Sequence, residues 1–278
     1  MQINGQTGVV GIIGDPVKHS RSPQMHNAAF NHLNLNMVYI PFHVRAELLG
    51  EAIKGMKALG IVGLNVTVPH KIEVMKYLDE ISPAAGIIGA VNTIYVHDNR
   101  LIGDNTDGHG FVRALLDDEG ITIAGKNVVI LGSGGSARSI GYALLKNGAS
   151  RLIFCNRTAS RAEEMAVSFQ TQGVFVAGMG IIDSMAEIIH ADILVNTTSV
   201  GMKQDEPLLI DPAWIRKGQI VCDIIYSPPQ TMLLQEAEKR GARVINGLGM
   251  LVYQGALSFE IWTGCLAPVE IMREAVRW

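Results

Sequence analysis

Short apolar runs recur along this chain, and between them apolar residues fall at helical spacing, so strands and helices alternate. The run Asn127-Val128-Val129-Ile130-Leu131 empties into the glycine-rich turn Gly132-Ser133-Gly134-Gly135-Ser136-Ala137. An unbroken apolar run suits a parallel strand covered on both faces. After the turn, Ile140, Ala143 and Leu144 keep helical spacing over Arg138 to Asn147, and Gly148 stops the helix. Arg151 to Cys155 reads as a second strand, followed by a helix, a strand near Val174, a short helix near Ser184 to Ile189 and a strand from Ala191 to Val195. Gln219 to Ile225 is the last strong strand of this half. A helix from Thr231 to Arg240 and a short extended piece, Val244 to Asn246, come after it.

The first third repeats the alternation. Gly8 to Gly14 is a strand; Ser22 is the expected cap of a helix with Pro23 at its first position, running to about Asn34. Met37 to Pro41 reads as a strand, Glu47 to Leu59 as a helix, Val62 to Val68 as a strand with Asn65 and Thr67 on one face, and Gly89 to Val96 as a strand ending at the turn Asp98-Asn99. Gly247 starts a long apolar helix in which Gln254 is the one polar residue able to reach a ligand, and a last helix runs from Pro268 to Trp278. At 278 residues, this order predicts an α/β chain of two domains.

Composition narrows the partners. Hydrophobic residues are 48%, charged residues 18%, and the formal net charge is -3, which excludes a disordered chain and offers nothing electrostatic to nucleic acid. Small molecules are the expected partners, with no nucleic acid and no membrane; monomer and homodimer both remain open. Cys155, Cys222 and Cys265 are too few and too far apart for a disulfide framework or zinc site, and read as small core hydrophobes. With no signal-peptide pattern and no bilayer-length apolar run, the cytoplasm is the expected compartment.

Candidate chemistry gathers at strand ends. The turn fits G-x-G-x-x-A: Gly132 for a tight turn, Gly134 for close approach of a pyrophosphate, Ala137 for helix packing, with backbone N–H groups at the helix start facing the phosphates. Glycine turns also serve merely to pack a helix on a strand. About 20 residues on, where an acidic residue would hold a ribose 2′-OH, the chain reads Asn156-Arg157-Thr158. Arg157, with Arg161 one turn later, suits a 2′-phosphate, which points to NADP rather than NAD. The same stretch also reads as a solvated loop with Thr158 capping a helix from Ala159, and the two roles can coexist. Elsewhere, Asn65, Thr67 and Lys71 converge on one strand end, Asp104 and Asp107 lie in a polar turn, and Asn196 to Met202 forms a hydroxyl-rich loop beside the expected cofactor crevice. Lys71 alone would read as a surface charge, and Ser20 and Ser22 as caps. No histidine or further carboxylate joins the two aspartates, so no metal is expected.

Taken together these clusters resemble the shikimate dehydrogenase family. The motifs that carry the resemblance are His19-Ser20-Arg21-Ser22-Pro23, Asn65-Val66-Thr67-Val68-Pro69-His70-Lys71, Ala90-Val91-Asn92-Thr93, Asn105-Thr106-Asp107-Gly108, the glycine turn, Asn156-Arg157-Thr158, Asn196 to Met202 and Gly247 to Gln254. They span nearly the whole chain in order. The resemblance implies an α/β substrate domain formed by 1–105 with 242–278, and a Rossmann-type doubly wound NADP domain over 106–241. It implies reversible NADP-dependent reduction of 3-dehydroshikimate to shikimate, a step of chorismate and aromatic amino acid biosynthesis. It further implies that Lys71 and Asp107 form the catalytic pair, and that Ser20, Ser22, Asn65, Thr67, Asn92 and Gln254 hold the substrate. Cofactor contacts are implied for the glycine turn from Gly132 to Ala137, for Asn156, Arg157, Thr158 and Arg161, for Thr198 and Ser199, and for Ile225 and Gly247. Ser133 and Ser136 stand where the family often has alanines. A broader quinate/shikimate dehydrogenase is the alternative. A non-catalytic ligand-binding relative would be expected to lack Lys71 or Asp107, and both are present.

Overall fold

The computed structural model describes residues 3–169, 174–203 and 206–277. Its first elements are β1 (Gly8–Gly14), α1 (Ser22–His32), β2 (Met37–His43), α2 (Leu49–Ala58), β3 (Ile61–Val66), β4 (Glu80–Ile81), α3 (Pro83–Ile88), β5 (Thr93–His97), β6 (Arg100–Asp104) and α4 (Asp107–Arg113). There follow β7 (Asn127–Leu131), α5 (Gly135–Lys146), β8 (Arg151–Asn156), α6 (Ala159–Ser168), β9 (Phe175–Gly180), α7 (Met185–His190), β10 (Ile193–Asn196), β11 (Ile220–Asp223), α8 (Met232–Lys239), β12 (Arg243–Ile245), α9 (Leu248–Thr263) and α10 (Val269–Glu274). The backbone divides into two compact units, Met1–Gly110 with Leu251–Trp278, and Phe111–Met250.

The first unit is built on a mixed sheet of order β2-β1-β3-β5-β6-β4. β1 pairs in parallel with β2 and β3, and β5 is antiparallel to both β3 and β6. Leu49, Ile53 and Met56 of α2 bury against Ile13, Leu64, Val66 and Ile94. α9 packs where β3 offers no side chain: a Cβ at Gly63 would lie 2.1 Å from Trp262 Nε1, which donates to Ile94 O at 3.0 Å. Beside it, His26 of α1 is fully buried and stacked on Tyr39 with ring centroids 4.4 Å apart, and among the described residues neither of its nitrogens has a hydrogen-bond partner. Burial without a compensating acceptor holds its pKa down at about 3.

The second unit has an all-parallel sheet of order β12-β11-β10-β7-β8-β9. Counted in order of appearance, that is the doubly wound arrangement 3-2-1-4-5-6, whose ligand crevice opens at the carboxyl ends of the strands where the order reverses, here β7 and β10. The unbroken apolar strands are explained by cores on both faces. Val128, Ile130, Leu152, Phe154, Ile193 and Val195 pack on one side. Val129, Leu131, Ile153, Cys155, Leu194 and Val221 pack on the other. The α/β class is therefore as the pattern predicts, and the doubly wound half as the resemblance implies.

Several local expectations fail for identifiable reasons. Ser22 is not the cap of α1: the helix begins at Ser22, Arg21 holds the cap position, and the Ser22 N–H donates to Ser20 Oγ at 3.3 Å. The strand expected from Gly89 begins only at Thr93, because a short helix capped by Ser82 and led by Pro83 ends at Gly89 in the left-handed conformation, φ 69°. Thr158 occupies the cap position of α6, but its side chain makes no capping bond. Cys265 is exposed rather than packed in a core, while Cys155 and Cys222 are buried. The last helix ends at Glu274, and Trp278, its expected end, lies outside the described residues.

Candidate active site

Polar side chains concentrate where β3 and β6 end and β5 begins. Lys71 lies in the turn after β3, Asp107 opens α4, and the Lys71 ammonium donates to Asp107 Oδ2, both side chains being largely buried (14% and 6% exposed). The other carboxylate oxygen accepts from Asn92 Nδ2 at 2.8 Å. Asn105 Oδ1 takes the Asp107 backbone N–H at 3.2 Å, and Asn105 Nδ2 in turn donates to Ala90 O at 2.8 Å. Asp107 is thus held from the ammonium, an amide and its own backbone, which fixes the direction of both oxygens.

Asn92 is the centre of a larger network. Its Oδ1 accepts the Thr106 N–H at 2.8 Å and the Thr93 hydroxyl at 2.9 Å, while its Nδ2 also approaches Thr106 Oγ1 at 2.9 Å and Gln254 Oε1 at 3.4 Å. Asn65 is anchored below: Tyr39 OH donates to its Oδ1 at 2.8 Å, and its Nδ2 donates to Ser258 Oγ at 3.0 Å. Five of the residues singled out in the sequence, Lys71, Asp107, Asn92, Asn65 and Gln254, therefore belong to one connected set. Ser20, Ser22 and Thr67 do not: among the described residues no hydrogen bond joins them to it, and Ser20 and Ser22 are linked to each other. Thr67 packs its methyl against the backbone of Gly14, where a Cβ would lie 2.4 Å away.

Sequence reasoning missed Tyr39, Thr93, Thr106 and Ser258. Thr93 and Thr106 sit inside motifs already marked, and Ser258 stands one helical turn after Gln254, so the i, i+4 spacing was the available signal. Tyr39 inside an apolar strand gave none.

The second unit carries the glycine turn. Gly132 has φ 113° and a Cβ there would meet Thr197 Oγ1 at 2.6 Å, so glycine is required on both counts. Gly134 has open space where its Cβ would stand, Gly135 begins α5, and Ala137 is fully buried. The N–H groups of Gly135, Ser136 and Ala137 lie in the first turn of α5 and have no partner within the helix. Ser133 and Ser136 are half-buried beside them. Asn156 ends β8 and donates to Thr158 O at 3.1 Å, while Arg157 and Arg161 are exposed and, among the described residues, unpaired with any carboxylate. Arg157 borders a cleft of about 550 Å³ walled by Ile181, Val200, Leu208 and Leu209, with Asp183 and Glu206 also on its lining. Those two carboxylates were not anticipated; Glu206 is engaged by the Gly201 N–H at 2.9 Å. Ser199 is exposed, and Thr198 donates to Asn196 Oδ1 through N–H and hydroxyl at 3.0 and 2.8 Å. Ile225 is buried and accepts the Gly247 N–H at 3.0 Å; a Cβ at Gly247 would lie 2.0 Å from Ile224 O.

Comparison with known proteins adds to this geometry. Residues 12–94 match the shikimate dehydrogenase substrate binding domain, 115–208 the family described as shikimate / quinate 5-dehydrogenase, and 247–277 the shikimate 5′-dehydrogenase C-terminal domain. The chain is 48% identical to the shikimate dehydrogenase (NADP(+)) of Methanopyrus kandleri, over 99% of this chain and 97% of that one. The chain belongs to the shikimate dehydrogenase family. Among solved structures of the family, one described as shikimate dehydrogenase in complex with NADP+ matches with a TM-score of 0.92 at 46% identity, covering 99% of this chain and 96% of the other. The Thermus thermophilus shikimate 5-dehydrogenase in complex with NADP(H) and shikimate matches with a TM-score of 0.87 at 34% identity, covering 96% and 98%. Shikimate dehydrogenases are oxidoreductases, and membership carries the doubly wound sheet of the second unit with it.

Proposed function

We propose that this chain catalyses the reversible, NADP-dependent reduction of 3-dehydroshikimate to shikimate. The observation that carries the reading is the Lys71–Asp107 pair, secured on its far oxygen by Asn92. Hydride transfer to a ketone leaves an alkoxide that needs a proton, and an ammonium aimed by a buried carboxylate can polarise the carbonyl and then supply that proton. In the oxidation direction the neutral amine takes the hydroxyl proton, and Asp107 stabilises the ammonium that forms. Asn65, Asn92 and Gln254, with Ser20, Ser22 and Thr67, are assigned to the substrate's hydroxyls and carboxylate. The unit Met1–Gly110 with Leu251–Trp278 is accordingly assigned to substrate, and Phe111–Met250 to NADP.

The residues of the second unit fit that cofactor. The open space over Gly134 admits a pyrophosphate against the start of α5, and Arg157 and Arg161, unpaired among the described residues, suit a 2′-phosphate. The reduced cofactor would supply the hydride for the reduction and the oxidised one would accept it in the reverse direction; the chain's own part is to bind it through Gly132 to Ala137, Asn156 to Thr158, Arg161, Thr198, Ser199, Ile225 and Gly247. We place the reaction in the cytoplasm as a step toward chorismate and aromatic amino acids, with small molecules as the partners. An absorbance assay at the nicotinamide band, with shikimate and quinate each offered NADP and NAD, tests the proposal. Shikimate with NADP should be fastest; faster turnover of quinate would replace the substrate assignment, and no turnover in any arm would refute the activity.

A further inference from the structure

Asp223 closes β11 and stands in register beside Asn196, the last residue of β10. Both are buried at the carboxyl ends of their strands. Asp223 Oδ1 accepts from Asn196 Nδ2 at 3.1 Å and from the Ile225 N–H at 3.0 Å, and Oδ2 accepts from Thr231 Oγ1 at 2.8 Å. No cation pairs with it among the described residues. Burial pushes the carboxyl up to about 6 in spite of those three donors. A carboxylate buried among neutral partners is costly, and what it provides here is two acceptor oxygens that bind three chain segments at once.

Those segments follow β10 and β11, the strands on one side of the point where the strand order reverses. Asn196 passes the connection to the loop after β10: its Oδ1 takes the Thr198 N–H and hydroxyl, its Nδ2 also donates to Val200 O at 3.2 Å, and Thr198 Oγ1 accepts the Val200 N–H at 3.1 Å. After β11, Ile225 accepts from Gly247 at 3.0 Å. Thr231 caps α8 by accepting the Leu234 N–H at 3.4 Å. A Cβ at Gly201 would lie 3.4 Å from Thr231 Cβ and 3.5 Å from Ile225 Cδ1, so the loop rests directly on the segment that Asp223 holds.

We propose that Asp223 is a positioning residue for NADP, its two carboxylate oxygens fixing the Thr198–Ser199 loop and Ile225 relative to one another. The inference rests on the reading of the chain as an NADP-dependent dehydrogenase. Neither Asp223 nor Asn196 is assigned a contact with the cofactor; each acts through the backbone it holds.

The test is titration with NADPH followed by nicotinamide fluorescence, alongside shikimate turnover and thermal unfolding of the cofactor-free chain. Asp223→Ala should raise the NADPH Kd about tenfold or more, as expected for the loss of buried charge-assisted bonds, and lower kcat while leaving the shikimate KM within about twofold. Asp223→Asn keeps an acceptor toward Ile225 and Asn196 and offers Thr231 a donor, so its Kd should stay within about threefold of wild type. Should Asp223→Ala not fold, Asn196→Ala cuts the same connection on the loop side and should also weaken NADPH without moving the shikimate KM. A folded alanine variant with the wild-type NADPH Kd overturns the proposal, as does an asparagine variant as impaired as the alanine one. A wild-type chain that binds NADPH but does not oxidise shikimate refutes the substrate assignment alone, and the Kd comparison still decides the role of Asp223. No NADPH binding by wild type overturns both.

Discussion

Asn92 donates to Asp107 Oδ1 at 2.8 Å, leaving the opposite oxygen to the Lys71 ammonium. The carboxylate is nearly inaccessible to water, so no solvent can replace a lost donor. Asn92→Ala should therefore cost about 1–3 kcal/mol of stability, the penalty of an unsatisfied buried acceptor. Asn92→Asp sets a second carboxylate against the first and should cost more than Asn92→Ala. Urea unfolding of the two variants checks the order.

Cofactor choice is assigned to the exposed cations after β8. Arg157→Ala should weaken NADP binding about tenfold, the worth of one charge-assisted bond, and leave NAD binding little changed. Equal losses with both cofactors would place Arg157 away from the 2′-phosphate.

The two serines should not behave alike. Ser20 is half-buried and Ser22 almost wholly buried, so Ser20→Ala should raise the shikimate KM the more. Both should change KM more than kcat, since groups that hold a carboxylate bind ground and transition states equally. A loss confined to kcat would contradict the anchoring role.

His26 gives a pH signature to stability. Its folded-state pKa, about 3, lies below the ordinary value of 6.5. The unfolded chain therefore binds a proton that the folded one refuses; the contribution of the neutral ring is complete above about 6.5 and is lost as pH falls toward 3. Between pH 8 and pH 5 the loss should be about 2 kcal/mol. Asp223 works in the opposite sense, because its raised folded-state pKa, about 6, favours the folded state as pH falls through that value. The histidine is therefore isolated by comparing wild type with His26→Phe, whose stability should fall less on acidification. Parallel pH curves for the two would exclude the histidine as the cause.

Much of the architecture was legible because the strands of the second unit are buried on both faces and so read as unbroken apolar runs. The strand order was not, since pairing between β7 and β10 joins residues far apart in sequence that carry no local mark. Boundaries failed where a local capping bond outweighed apolar character, as at Ser82 before Pro83, which makes a helix of a stretch adjoining the expected strand. At the candidate site, Lys71 and Asp107 were visible only through the motifs around them. Ser258 was hidden because a small hydroxyl on an apolar helix has the same appearance whether it points to a ligand or, as here, accepts from Asn65 and sits 2.8 Å from Thr93 Oγ1.

The Lys71–Asp107 pair is most directly tested by turnover of shikimate with NADP in Lys71→Ala, measured together with shikimate binding to the same variant. If the pair moves the proton, kcat falls roughly 10²–10⁴-fold, the usual contribution of a general acid–base group, while shikimate still binds. Near-normal turnover, or a loss of affinity with kcat retained, would contradict it.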